Sequence, residues 1–160
     1  MKRCVCVLLL VFGLCGCGGE ETLETISDEW IIPVMAQPRE ISVRLPDELV
    51  LPVLEQDGKQ LYMAADYELM LETHAAGDLD ATIRGLCGYG KEDLTMIQTR
   101  QAEADRYDFV WTAAGEKGER LGRGVILDDG NYHYCMSILR DAERSTQIVW
   151  DQVFSSFDLI

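Results

Sequence analysis

Beyond Arg39 apolar and polar side chains alternate along most of the chain, with the two-residue period of strands that have one wet face. Ile41, Val43 and Leu45 alternate with Ser42 and Arg44 until Pro46 stops the run, which predicts a short strand. Leu49 to Leu54 is apolar but broken by Pro52, so it reads as an edge strand or a loop. After an Asp57-Gly58 turn signal, Leu61, Met63, Ala65, Tyr67, Leu69 and Leu71 fall on odd positions and predict one long strand. Leu94 to Thr99 predicts a further strand, and Tyr107, Phe109, Trp111 and Ala113 alternate with Arg106, Asp108, Val110 and Thr112. A turn at 115–118 leads to Val125-Ile126-Leu127. Asp128-Asp129-Gly130-Asn131 then predicts a hairpin of type I′, whose central residues need positive φ, and the chain returns through Tyr132, Tyr134, Met136 and Ile138.

Two segments change to helical period. Asp78 is placed to cap a helix whose Leu79, Ile83 and Leu86 share one stripe, and Gly85, Gly88 and Gly90 bring it to an end. Asp141 to Phe157 forms the second, with Val149, Val153 and Phe157 in step beside Trp150 and Phe154. Strand runs interrupted by helices predict an α+β fold, a single mainly antiparallel sheet flanked by helices.

The N-terminus has a different pattern: Met1-Lys2-Arg3, then eleven mostly apolar residues from Cys4 to Leu14, then small residues. A bilayer core needs about 20 helical residues, so this run is too short to span one and reads as a secretory signal. Its exit, Leu14-Cys15-Gly16-Cys17, resembles a bacterial lipobox. That resemblance implies cleavage before Cys17 and a diacylglyceryl group on its thiol; Cys15 competes, but Leu14 would put a bulky side chain where a small one is required. Residues 1–16 are then the removed signal, 17–38 a lipid-anchored acidic tether and 39–160 the globular domain. Stable attachment is expected because two acyl chains anchor where one holds only marginally. The expected setting is extracytoplasmic, on the bacterial cell membrane. Trp30 to Met35 is apolar enough to lie along the domain.

Length and charge narrow the function. A chain of 160 residues has the size of one domain, and its 48% hydrophobic content is that of a packed globule. With 14 Lys and Arg against 28 Asp and Glu, the formal net charge is −14, and loss of residues 1–16 removes two cations and no acid. Such a surface repels polyanions, so nucleic acid is excluded as a partner. A cationic or neutral protein surface, or another cell-envelope component, fits instead. Cleavage also leaves Cys87 and Cys135 as the unmodified cysteines; in an oxidising compartment they either form a bridge or remain two packed thiols, and the thiols are favoured.

The C-terminal half carries a second resemblance. Tyr107-x-Phe109-x-Trp111, Asp129-Gly130-x-Tyr132-x-Tyr134-Cys135, a closing helix ending Phe154-Ser155-Ser156-Phe157, and the opening Ile41-x-Val43-x-Leu45-Pro46 are similar to PsbP/Mog1-like domains of bacterial lipoproteins. The resemblance implies an α/β/α sandwich that binds other proteins and carries no shared catalytic set, so no site residue comes with it.

Candidate chemistry is sparse. His133 lies between two tyrosines on a strand and points to the face opposite them, where it reads as a half-exposed strand residue; His74 reads likewise at a strand end. Neither G-x-S-x-G nor the C-x-x-C and H-x-x-x-H metal spacings occur, and no cofactor is implied. A Cys–His dyad drawn from Cys87, Cys135, His74 and His133 is the residual enzymatic reading. Asp128–Asn131 lacks the rest of a calcium loop and reads as a turn, and the Gly85–Gly90 glycines follow a helix where a phosphate cradle precedes one. Tyr107, Phe109, Trp111, Tyr132 and Tyr134 are either the packed face of the sheet or, less readily, a ligand-binding face. The reading is a membrane-anchored, non-catalytic binding module. A small-ligand or metal-ion carrier is the alternative, and a Cys- or Ser-dependent envelope hydrolase comes third.

Overall fold

The computed structural model describes residues 36–47, 49, 51–116, 118–142 and 147–160. The signal segment, Cys17, the tether up to residue 35 and the expected docking of Trp30 to Met35 therefore lie outside the described residues.

The described residues are mostly antiparallel sheet with two α-helices. In chain order the elements are β1 (Ile41–Ser42), β2 (Leu54–Gln56), β3 (Lys59–Met63), β4 (Tyr67–Ala75), α1 (Leu79–Cys87), β5 (Met96–Gln101), β6 (Ala104–Gly115), β7 (Gly118–Asp128), β8 (Tyr132–Asp141), α2 (Gln147–Ser156) and β9 (Asp158–Leu159). Seven strands form one sheet in the order β2-β3-β4-β8-β7-β6-β5, and β1 pairs with β9 in a separate two-stranded sheet. The single sheet expected from the alternation is thus corrected to two. The two residues of β9 are too few to show a period, and the alternation from Ile41 to Leu45 did not say which strand it would pair with.

The expected strand from Leu61 to Leu71 is instead a hairpin. The chain reverses at Ala64–Asp66, where the Ala64 amide donates to the Tyr67 carbonyl at 2.9 Å, and Tyr62 pairs with Leu69. Reversal changes which parity faces inward: Tyr62 is buried on β3, whereas Tyr67, Leu69 and Leu71 are buried on β4. The apolar odd positions of β3, Leu61 and Met63, face the other way. An unbroken odd series therefore concealed a turn.

The first helix matches its reading except at Gly85, which was expected to help end it and instead lies inside it. Asp78 caps it, its Oδ1 accepting from the Asp80 amide at 3.1 Å, and Ile83 is fully buried. Gly88, at φ 81°, ends it in the left-handed conformation that a residue without Cβ adopts freely. The second helix is shorter than expected. Asp141 completes β8 by pairing with Arg120, and the residues after Ser156 extend to pair with β1. At the β7–β8 turn only Gly130 has positive φ, at 87°, which is the pattern of a type II′ turn with glycine first and not type I′.

Each face of the large sheet carries one helix. Trp150, Val153, Phe154 and Phe157 of the α2 region pack on Leu69, Leu71, Val125, Leu127, Tyr134, Met136 and Ile138. Ile83 of α1 packs on Tyr107, Phe109, Trp111, Ile126 and Cys135. Because Tyr134 and Cys135 are neighbours on β8, the two clusters lie on opposite sides of the sheet. Arg106, on the α2 side, fastens the end of α2. It pairs with Asp108 through Nε at 2.6 Å and Nη2 at 3.1 Å, and it donates to the carbonyls of Phe154 at 3.0 Å and Phe157 at 3.4 Å.

Candidate functional site

The five aromatic residues expected to share a face are divided between the two. Tyr107 pairs with Ile126, which pairs with Cys135, so Tyr107, Phe109 and Trp111 point towards α1. Tyr132 and Tyr134 point towards α2. Register decided this: Tyr134 of β8 meets β7 at Leu127, one position out of step with Ile126, the partner of Tyr107. The candidate binding face is therefore corrected to two packed surfaces.

On the α1 side Trp111 and Phe109 lie over glycines. Trp111 pairs with Gly122 and Phe109 with Gly124, and a Cβ on Gly122 would collide with the indole. Each ring fills the space that a side chain opposite would occupy. On the α2 side Tyr134 is fully buried and structural. Its hydroxyl donates to Asp129 Oδ2 at 2.9 Å and accepts from the Arg39 amide at 2.9 Å, holding the incoming chain to the β7–β8 turn.

An open groove of about 500 Å³ lies on the α2 side, between α2 and parts of β6, β7 and β8. Val110, Leu121, Ile138, Trp150 and Phe154 supply its apolar lining. Trp150 stands edge-on to Tyr67, with centroids 4.6 Å apart, and Arg123 lies 4.1 Å over the Phe154 ring while pairing with Asp151 at 2.8 Å. These ring contacts fix the walls. Val110 is 58% exposed and stands between the polar Asp108 and Thr112 on its face of β6. That apolar side chain in the wet register was the sequence signal for the groove; which residues would face it was not visible locally.

Cys87, Cys135, His74 and His133 gather on the α1 side. Cys87 and Cys135 are both free thiols, so no bridge joins them. The Cys87 Sγ donates to the Ile83 carbonyl at 3.2 Å, and burial pushes its pKa up. Cys135 lies opposite Glu72 and His74 opposite His133. The Cys135 Sγ is 3.9 Å from His74 Nε2, the geometry of a Cys–His pair. Burial, reinforced by the Glu72 carboxylate, drives this thiol far above its ordinary pKa, the reverse of what a nucleophile requires.

His133 points away from its flanking tyrosines as expected, but it is 1% exposed rather than half-exposed, because α1 covers it. Its Nδ1 is 2.8 Å from the Thr82 hydroxyl, while Nε2 stands 3.5 Å from Asp128 Oδ2, too long for a good hydrogen bond. Burial lowers the His133 pKa against the pull of Asp128.

Comparison with known proteins extends the fold and leaves the chemistry open. No family model and no curated protein matches the sequence. A crystal structure at 1.50 Å of a protein from Bacteroides thetaiotaomicron VPI-5482 is similar in fold, with a TM-score of 0.52 at 11% identity. The match covers 75% of this chain and 45% of that one, so this chain spans less than half the length of its structural neighbour.

The Asp128–Asn131 segment is a turn held by its own carboxylates. Asp128 Oδ1 accepts from the Gly130 amide at 2.8 Å, and Asp129 Oδ1 accepts from the amides of Asn131 at 2.9 Å and Tyr132 at 2.8 Å. The Asp129 pKa is lowered because these amide bonds and the Tyr134 hydroxyl outweigh the opposing effect of burial, the largest single influence on it. Its oxygens are occupied within the fold, as the turn reading requires.

Proposed function

We propose that this chain is a lipid-anchored, extracytoplasmic, non-catalytic binding module, built on a PsbP/Mog1-like α/β/α sandwich and attached through Cys17. The groove beside α2 is its seat for a partner protein that inserts an apolar side chain. The observation that carries this is the groove itself: its volume is in the range of natural ligand sites, and two rings of its wall, Trp150 and Phe154, are held by contacts within the fold. The placement of α1 and α2 on opposite faces supports the sandwich. The lipobox-like Leu14-Cys15-Gly16-Cys17 supports the anchor. The raised pKa values of Cys87 and Cys135 argue against a thiol enzyme, and the acidic composition argues against a nucleic-acid partner.

The test places a photo-crosslinking residue at Val110 of the full chain in envelope preparations, with the exposed Leu51 as control position. A discrete adduct at 110 and none at 51 is expected. Equal labelling at both positions, or none, overturns the groove. Fatty-acid labelling lost in Cys17→Ser tests the anchor separately. A small-ligand carrier would use the same walls, and a thermal-shift panel distinguishes it, since a ligand bound only to the native state raises the midpoint without any protein adduct.

A further inference from the structure

Beyond the groove, one group of side chains on the α1 side combines three metal-ligand types. Glu72 and His74 are two residues apart on β4 and so face the same way, and Cys135 stands on β8 directly opposite Glu72. The pleat brings a carboxylate, an imidazole and a thiol together, with one donor atom of each inside a 4.8 Å span. Glu72 Oε1 is 4.0 Å from His74 Nε2, and Nε2 is 3.9 Å from Cys135 Sγ. We propose that Glu72, His74 and Cys135 bind one divalent transition-metal ion of the zinc class through Oε1, Nε2 and Sγ, leaving a fourth position open.

The spacing decides between a site and a chance gathering. Zinc bonds of about 2.0–2.3 Å arranged tetrahedrally put ligand atoms about 3.4–3.6 Å apart. The two separations from His74 Nε2 exceed this by about half an ångström and all three donor atoms lie within 4.8 Å of one another, so side-chain rotations have to draw them together around an ion. The donor types agree as well, since thiolate and imidazole together select zinc over the oxygen-seeking magnesium and calcium.

Two contacts prepare the ligands before any ion arrives. His74 Nδ1 lies 3.2 Å from the Ala75 carbonyl. A carbonyl only accepts, so Nδ1 carries the proton and the neutral ring keeps its Nε2 lone pair for the cluster. Lys59 Nζ holds the other Glu72 oxygen, Oε2, at 2.7 Å, which fixes the carboxylate and leaves Oε1 directed at His74. Binding breaks the Cys135 S–H bond, forms a sulfur–metal bond and releases the proton to water. The ion thereby supplies the positive charge that a thiolate buried beside Glu72 otherwise lacks. Cys135 is fully buried, whereas the His74 side chain is 40% exposed, so the open position and the entry path lie on the His74 side.

The test uses the full chain, freed of metal and titrated with Co²⁺, followed by Zn²⁺ competition. One Co²⁺ per chain with a thiolate-to-cobalt charge-transfer band is expected, and Zn²⁺ should displace it. Cys135→Ser should abolish the band. Because that residue is in the core, His74→Ala provides a second arm at a half-exposed position: native circular dichroism with at least a tenfold loss of Co²⁺ affinity is expected. The absence of a band in the wild-type chain overturns the proposal. So does wild-type affinity in His74→Ala, which would assign the ion to the other cysteines.

Discussion

Arg106 is the fastening whose loss is most readily worked out. Its side chain is 11% exposed and directs its donors at Asp108, the Gln101 side chain at 2.8 Å and the last carbonyls of the α2 region. Arg106→Met keeps much of the volume and removes every one of these bonds. Asp108, itself 20% exposed, would keep only the weaker attraction of Arg123 at 3.8 Å, and the Phe154 carbonyl would lose its partner beneath the helix. Stranding one member of a mostly buried ion pair costs about 3–5 kcal/mol, and an unpaired buried carbonyl alone costs about 1–3 kcal/mol. These overlap, because water reaches whatever the lost side chain uncovers, so about 3–5 kcal/mol is expected in total. In urea, with a slope of about 2 kcal/mol per molar, the midpoint should fall by about 1.5–2.5 M. Arg106→Lys keeps the charge near Asp108, but one ammonium cannot span the set of acceptors that the planar fork reaches. It should fall between the wild type and Arg106→Met. Adding Asp108→Asn to Arg106→Met should recover part of the loss, because it removes the stranded charge. A midpoint for Arg106→Met within about 0.5 M of wild type, equivalent to about 1 kcal/mol, would refute the account.

Two other predictions test each side of the α1 packing. His133 is buried and its folded pKa is depressed, so between its folded value and the unfolded value of about 6.5 the unfolded chain binds more protons. Stability is therefore highest above about pH 6.5 and declines as pH falls below it, by at most about 1.4 kcal/mol per pH unit from this group. Urea unfolding across that range should show a flatter profile for His133→Gln, and identical slopes would remove His133 as the source. Gly122→Ala pushes a methyl into the Trp111 indole, an overpacking expected to cost about 1–3 kcal/mol and to shift Trp111 fluorescence. An unchanged melting temperature would mean that the ring moves aside freely.

Local signals identified α1 from Asp78 to Gly88 because its cap, apolar stripe and stop residue all act within a few positions. The β7–β8 hairpin was legible at Asp129-Gly130 for the same reason, although the turn's type was not: I′ and II′ both accept glycine and differ in how many residues take positive φ. The β3–β4 reversal was hidden because Ala64, Ala65 and Asp66 carry neither Gly nor Pro, and the apolar series ran through the turn in phase. For the aromatic residues, alternation placed Tyr107, Phe109 and Trp111 together and Tyr132 with Tyr134, but it did not say whether the two strands were in phase.

The sequence by itself determined the alternating strands, the two helical segments, the acidic charge and the lipobox-like N-terminus, because each is a property of residues close together in the chain. Tertiary structure alone decided which strands pair and in what register. That choice brought Glu72 opposite Cys135, buried His133 beneath α1, and closed α2 against β6 and β7 to shape the groove. A strand's period tells which of its own side chains share a face. What stands across from them is fixed by the free energy of burying both faces at once, and that depends on residues about sixty positions away, as with Glu72 and Cys135.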